Sequence, residues 1–189
     1  MSFAVAGGPR LDGGACPHMA VVLRSGRELP AVLVSFYALG ARRGGWVVHH
    51  ALPGECDRDR ERLTAGGLDV GGLEATRTLV FFEFDPAEAP DAAAERFEPL
   101  LADALRRGHS ALWYSRFPIG PGAVDFANAT AYDRAWDARF RGRPVVTLCP
   151  YVLAGEDAAE RIAHLNGWHD AVLDADGRAM RSATQSKPT

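Results

Sequence analysis

The chain has 189 residues, of which 47% are apolar and 24% charged, a composition typical of one globular domain. Its 21 basic and 24 acidic residues give a formal net charge of −3, so it lacks the basic excess that favours binding to the phosphate backbone of nucleic acids. Apolar runs are shorter than the roughly 20 residues of a membrane span, and the first residues lack an export signal. We therefore expect a cytoplasmic protein without direct nucleic-acid or membrane partners.

Short apolar runs alternate along the chain with stretches that carry a helical apolar stripe. This alternation is typical of strands that crossover helices bury on both faces. The sequence thus predicts an α/β fold with a three-layer, mostly parallel sheet. The predicted strands are Met19 to Leu23, Trp46 to His50, Thr78 to Phe84, Ser110 to Ser115, Val145 to Cys149 and Ala171 to Asp174.

Five helices are expected between these strands. The first begins near Ser25 and Glu28, which have capping-box spacing, and ends at Gly44. Pro99 lies inside the third helix and predicts a kink or a two-part helix there. The second to fifth helices are predicted near residues 58–65, 91–107, 124–140 and 157–165.

The two ends of the chain have a different composition from its centre. Residues 1–16 are rich in glycine, and residues 178–189 are mostly polar. We expect a flexible N-terminal lead-in over 1–16, one folded domain over 17–177 and a disordered tail over 178–189.

Polar side chains at the ends of the predicted strands are the candidate binding residues. Ligands of open parallel sheets bind beyond the carboxyl ends of the strands, where loops and helix N-termini converge. Each such residue is also compatible with an ordinary loop or cap role, so the prediction rests on their convergence. The candidates are Arg24, Ser25, His49, His50, Ser115, Arg116, Cys149 and Tyr151, with Phe117 as an apolar wall for a small organic ligand.

Three common enzyme motifs are missing from the sequence. The first strand continues into Arg24-Ser25-Gly26-Arg27-Glu28, where a phosphate-binding loop would need G-x-x-x-x-G-K-[ST]. Neither a G-x-G-x-x-G fingerprint after a strand nor a G-x-S-x-G nucleophile elbow occurs. Nucleotide hydrolysis and serine-hydrolase chemistry are disfavoured, and a noncatalytic protein is expected.

The cysteines leave one alternative open. Cys16, Cys56 and Cys149 are too widely spaced for a zinc knuckle, and their odd number argues against disulfides. The simplest interpretation is buried thiols with no cofactor. Alternatively, Cys149 with His18 or His169 binds a transition metal or haem. The haem version is suggested by Cys16 and Cys149, which both precede proline. A further alternative is an enzyme in which Cys149 is the nucleophile.

Several segments resemble one known family. They include His18 at the start of the first strand, the stretch from Phe36 to Gly45 that leads directly into Trp46, and the pair Tyr132-Asp133. The strand that ends in Cys149-Pro150-Tyr151, and His169 before the last strand, complete the pattern. Over about residues 17–177 the chain resembles the MEDS domain, the methanogen and methylotroph sensory domain of the type found in a dichloromethane-responsive regulator.

This resemblance implies a RecA/KaiC-like core that has lost its phosphate-binding loop. It also implies a signal-input domain for small organic effectors in transcription regulation, with His18, Tyr132, Asp133 and His169 at family positions. The 189 residues hold no output domain, so the expected partner is a separate regulatory protein of the kinase, anti-sigma or transcription-factor type, or a second copy in a homodimer.

Overall fold

The computed structural model describes residues 17–85, 87–120 and 126–180, which contain a six-stranded sheet. The sheet has the strand order β3-β2-β4-β5-β1-β6, and each pairing between neighbouring strands is parallel. The predicted α/β class is therefore confirmed, with a fully parallel set of pairings. The strands are β1 (His18–Leu23), β2 (Trp46–Ala51), β3 (Leu79–Glu83), β4 (Leu112–Arg116), β5 (Val145–Val152) and β6 (Ala171–Asp174).

Helices cover both faces of the sheet and complete the three-layer, RecA-like architecture. α1, α2 and α3 pack on one face, and α4, α5 and α6 pack on the other. The helices are α1 (Leu29–Arg42), α2 (Cys56–Ala65), α3 (Val70–Ala75), α4 (Pro90–Arg106), α5 (Phe126–Phe140) and α6 (Ala158–Leu165).

Strand alternation decides which side chains face each helical layer. In β4, Trp113 packs with α1, whereas the next residue, Tyr114, packs with α4 and α5. Close approach of α1 to the sheet requires a glycine, because a Cβ at Gly40 would lie 2.8 Å from the Trp113 ring. Consecutive residues of one strand therefore face different helical layers.

The structure differs from the sequence predictions in three local features. α3 was not predicted, because Gly71 and Gly72 are poor helix formers; the helix begins at Asp69, whose side chain accepts a hydrogen bond from Gly72 N. α4 continues through Pro99 as one helix, so the expected two-part helix is wrong. β5 extends to Val152, and Cys149 therefore lies inside the strand and not at its end.

Some predictions fall on residues outside the described ranges. These are the lead-in over 1–16 with Cys16, the tail beyond residue 180 and the first residues of the predicted fourth helix. In the described part of the chain, the helices are too short or too polar to cross a membrane.

Candidate functional site

Neighbouring histidines at the end of β2 point to opposite faces of the sheet. His49 is level with Ser115 of β4, and His50 is level with Arg116. His49 contacts α1 and α2, while His50 contacts the layer that contains α4. The candidate residues predicted from strand ends are consequently divided between two separate environments.

The first environment is an open cleft between α1, α2 and the loop that follows β1. We call it the α1–α2 cleft. Its volume is about 610 Å³, within the usual range of small-molecule pockets. The lining consists of apolar residues Leu29, Pro30, Leu33, Leu52, Leu63, Phe117 and Pro118, together with Ser25, Gly26, Arg27, His49, Glu55, Asp59 and Arg62.

His49 is held in this cleft by two hydrogen-bond partners. Its Nδ1 lies 2.7 Å from the Tyr37 hydroxyl, and its Nε2 lies 2.9 Å from Asp59 Oδ2. Burial raises the pKa of Asp59, but hydrogen bonds from His49 and Arg62 outweigh burial and keep that pKa below its ordinary value. Asp59 is therefore a carboxylate whose charge the protein itself neutralises.

The loop between β1 and α1 occupies the place where a RecA-like nucleotidase binds phosphate. Here Glu28 Oε2 accepts hydrogen bonds from the backbone N–H groups of Arg24, at 2.7 Å, and Ser25, at 3.4 Å. Backbone amides of this kind are the groups that a phosphate-binding loop offers to its ligand. Because a carboxylate of the chain already takes them, this loop is poorly suited to a phosphate.

The second environment is a buried polar network between the strands β1 and β5 and the helices α5 and α6, on the opposite face of the sheet from the cleft. At its centre, Asp133 Oδ1 lies 2.5 Å from Arg116 Nη2, and the Tyr151 hydroxyl donates to Asp133 Oδ2. We define the Asp133 network as these residues together with Cys149, His18 and His169, whose polar side-chain atoms approach one another.

Charge in the Asp133 network is balanced within the protein. Burial raises the pKa of Asp133, but Arg116 together with His169 and His18 outweighs this effect and holds the pKa well below its usual range. Burial raises the pKa of the Cys149 thiol well above its ordinary value, and Asp133 adds to this shift. In the protein without a metal, Cys149 is thus a protonated thiol and a poor nucleophile.

Little free space remains on the face of the sheet that carries the Asp133 network. A cavity of about 20 Å³, roughly enough for one water molecule, lies between His50, Arg116 and Cys149. His50 Nδ1 lies 2.8 Å from the Tyr114 hydroxyl, and burial lowers the pKa of His50 to about 3. This face has little free space, in contrast to the α1–α2 cleft.

The predicted site residues therefore have distinct locations. Arg24 is exposed and lies outside the described cleft lining, whereas the Ser115 hydroxyl donates to the Leu148 carbonyl at 2.9 Å. The half-buried Tyr132 donates to the Glu88 carbonyl at the edge of the small cavity. Ser25, His49 and Phe117 line the cleft; Arg116, Cys149, Tyr151, His18, Asp133 and His169 form the network.

Two hydrogen-bond partners of His49 were missing from the sequence-based set. Tyr37 lies in α1, and Asp59 lies in α2, away from any strand end. Both contact His49 directly. No local motif marks them, because their proximity depends on how α1 and α2 pack on the sheet.

The chain matches the model of a known protein family. The model of a family described as MEDS, MEthanogen/methylotroph, DcmR Sensory domain, matches residues 17–179. This range covers most of the chain and includes both the cleft and the Asp133 network. A comparison with curated proteins finds no match.

Proposed function

Because the chain belongs to the MEDS family of sensory domains, we propose that it binds a small, uncharged organic effector in the α1–α2 cleft and relays this binding to a separate regulatory protein. The observation that carries the proposal is the cleft itself. It lies beyond the ends of β1, β2 and β4, where open parallel sheets bind their ligands.

The lining of the cleft favours an apolar ligand with few polar groups. Half of its lining residues are apolar, and they include the rigid side chains of Pro30, Pro118 and Phe117. Burial of apolar surface stabilises a complex by about 25 cal/mol per Å² before the cost of association is subtracted. His49 and Ser25 then supply the few directional contacts that distinguish one ligand from another.

The charges around the cleft favour a neutral ligand. Arg62 Nη1 lies 3.1 Å from Asp59, and Glu55 pairs with Arg58 at 2.7 Å. Apart from the exposed Arg27, the charged residues of the lining are in such pairs, and a charged ligand would have to compete with them. Phosphates and nucleotides are further disfavoured, because the Glu28 carboxylate already accepts hydrogen bonds from the backbone amides of the loop after β1.

The relay to a partner begins in α2. Within the described α2, Leu63 is the buried side chain, and it also lines the cleft. A helix attached through so little apolar area changes position at low cost. An effector that contacts Leu63 with α2 in one position stabilises that position, and a partner protein then recognises it.

A noncatalytic role is consistent with the chemistry of the one buried thiol in the described range. Cys149 is protonated and lies on the closed face, away from the cleft. His49 is paired with Tyr37 and Asp59, and the described cleft lining contains no cysteine that it could activate.

The test is a ligand-induced shift of the melting temperature. The probes are indole, cyclohexanone and 1-hexanol, with benzoate and cyclohexylammonium as charged comparisons. A ligand at 100 times its Kd stabilises the folded state by about 2.7 kcal/mol, which corresponds to roughly 5–10 °C for a chain of this length. We expect such a shift with at least one neutral probe and a smaller one with the charged probes.

Two tryptophan variants locate the binding site. Leu52→Trp fills part of the cleft, whereas Leu105→Trp adds the same side chain at an exposed position on α4, outside the cleft. Leu52→Trp should abolish the shift and Leu105→Trp should retain it. Equal shifts in both variants, or no shift with any probe in the unmodified protein, would contradict the proposal.

A further inference from the structure

Four potential metal ligands converge inside the Asp133 network. His18, Asp133, Cys149 and His169 are all buried, and one ligand atom from each lies within 4.8 Å of the other three. Two imidazoles, a thiol and a carboxyl group are the donor set that proteins use for zinc and related ions. The family description assigns no metal to these residues, and none of them lines the α1–α2 cleft.

The separations between these atoms match a tetrahedral site. Zn–N distances of about 2.0 Å and a Zn–S distance of about 2.3 Å place neighbouring ligand atoms about 3.3–3.6 Å apart. The observed distances are 3.4 Å for His18 Nε2 to Cys149 Sγ, 3.4 Å for Cys149 Sγ to Asp133 Oδ1, and 3.4 Å for His169 Nε2 to Asp133 Oδ2. The two distances to Asp133 involve its two different oxygens, and the chosen ligand atoms all lie within 4.8 Å of one another, so the remaining pairs must move closer when an ion binds.

The hydrogen bonds of His169 orient it as a ligand. Its Nδ1 lies 3.1 Å from the Leu165 carbonyl, which can only accept, so Nδ1 carries the proton. The lone pair of neutral His169 is then on Nε2, which is buried without a hydrogen-bond partner and faces a carboxylate oxygen. Two acceptors in this position require a cation or a proton between them.

His18 is oriented in the same way. Its Nε2 faces Cys149, and its Nδ1 faces Asp137 Oδ1 at 3.6 Å. A carboxylate behind a ligand imidazole is the usual second shell of a zinc histidine, and it fixes the nitrogen that points to the metal. Both histidines thus direct an available ring nitrogen toward Cys149 and Asp133.

From this arrangement we infer that His18, Cys149, His169 and Asp133 bind one divalent transition-metal ion of the zinc type. The Cys149 thiol loses its proton to solvent when the metal binds. The two positive charges of the metal are opposed by the Cys149 thiolate and by Asp133, which also pairs with Arg116. Asp137 behind His18 is already paired with Arg141 at 2.8 Å. A haem does not fit, because the adjacent cavity has a volume of only about 20 Å³.

Cobalt(II) titration of the full chain tests this site directly. The protein is first treated with a chelator, re-purified and kept reduced without a competing thiol. We expect one equivalent of cobalt to produce the visible bands of tetrahedral cobalt and a near-ultraviolet band from thiolate-to-metal charge transfer. Zinc should displace the cobalt and raise the melting temperature.

Matched variants identify the ligands. Cys149→Ser should remove the charge-transfer band, whereas Cys56→Ser, at the half-buried thiol of α2, should retain it. His169→Ala should weaken cobalt binding at least tenfold and keep the charge-transfer band. His164→Ala, in the last turn of α6, should leave the affinity unchanged.

Circular dichroism confirms that each variant is folded before it is titrated. If Cys149→Ser does not fold, His169→Ala and His18→Gln decide the outcome through their loss of affinity. The inference is overturned if the folded, unmodified protein gives no tetrahedral cobalt spectrum, or if the affinity of the ligand variants equals that of their controls. Leu52→Trp should bind cobalt normally, which separates this result from the fate of the cleft proposal.

Discussion

The two faces of the sheet use adjacent residues for opposite purposes. His49 enters an open cleft of about 610 Å³, and His50 enters a closed layer with a cavity of about 20 Å³. In the cleft, apolar and polar residues share the lining. In the Asp133 network, an ion pair, a thiol and two imidazoles are enclosed by protein.

This difference teaches that a polar cluster and a binding pocket are separate features of this sheet. The open face has the volume for an organic effector, and the closed face has the ligand set for an ion. When one partner of a buried ion pair is removed, the other charge stays buried without compensation, and the folded state loses stability. We therefore expect changes on the closed face to affect stability most, and changes on the open face to affect binding most.

The largest expected effect comes from removal of Asp133. Asp133→Ala leaves the Arg116 guanidinium buried without its partner and should lower the free energy of unfolding by about 3–5 kcal/mol. Urea denaturation measures this loss. Asp157→Ala, which breaks the exposed pair with Arg161, should cost at most about 1 kcal/mol. Similar losses in the two variants would contradict the account of the closed face.

The pH dependence of stability should carry a signature of His50. Its pKa is lowered to about 3 by burial and by the nearby Arg96 and Arg116 charges. As the pH falls from about 6.5 toward 3, the unfolded chain binds a proton at His50 that the folded state does not bind. This difference destabilises the fold by about 1.4 kcal/mol per pH unit.

His50→Gln tests that assignment. Urea unfolding at several pH values between 6 and 4 should show a slope reduced by about 1.4 kcal/mol per pH unit relative to the unmodified protein. The slope is decisive, because a uniform loss of stability from the substitution leaves it unchanged. An unaltered slope would show that the environment of His50 is not closed.

The close contact between Trp113 and the turn that joins α1 to β2 gives a smaller effect on the open face. A Cβ at Gly45 would lie 2.2 Å from the Trp113 ring, so Gly45→Ala should destabilise the protein by about 1–3 kcal/mol. Gly71→Ala, in α3, meets open space and should be stabilising by up to about 1 kcal/mol. Thermal unfolding compares the two variants, and changes of the same sign would contradict the close approach of this turn to Trp113 of β4.

The smallest effect concerns the hydrogen bond between Tyr37 and His49. Tyr37→Phe should lower the free energy of unfolding by about 0.5–1.5 kcal/mol. Ser35→Ala, on the same helix, removes an exposed hydroxyl bonded to the Ala31 carbonyl and should change it by less than about 0.5 kcal/mol. Equal effects from urea unfolding would mean that His49 does not depend on Tyr37.

Much of the fold could be predicted from the sequence, for a physical reason. Parallel strands buried on both faces appear as continuous apolar runs, and all six strands were recognised in this way. The short helix α3 was missed, because its glycines disfavour helix and only the Asp69 cap marks it. Helix α4 continues through Pro99 because it packs against the sheet, and intrinsic helix propensities do not include such packing.

The candidate site was less accessible from sequence. Alternation along β2 already places His49 and His50 on opposite faces, so their separation was present in the pattern. The sequence pattern does not show which of the two faces is open. The lining of the cleft depends on Asp59 and Leu52, which lie in segments without a motif. Convergence of His18, Cys149 and His169 depends on the register between β1 and β5 and on the turn after α6.

The most direct test of the central claim is an NMR titration that follows the side-chain imidazole signals of all six histidines. The protein is titrated separately with indole, cyclohexanone and 1-hexanol, in the absence of metal. The account predicts that a neutral organic ligand shifts the His49 signals and leaves those of His18 and His169 in place. Shifts confined to His18 and His169, or no shift with any probe, would contradict an effector site in the α1–α2 cleft.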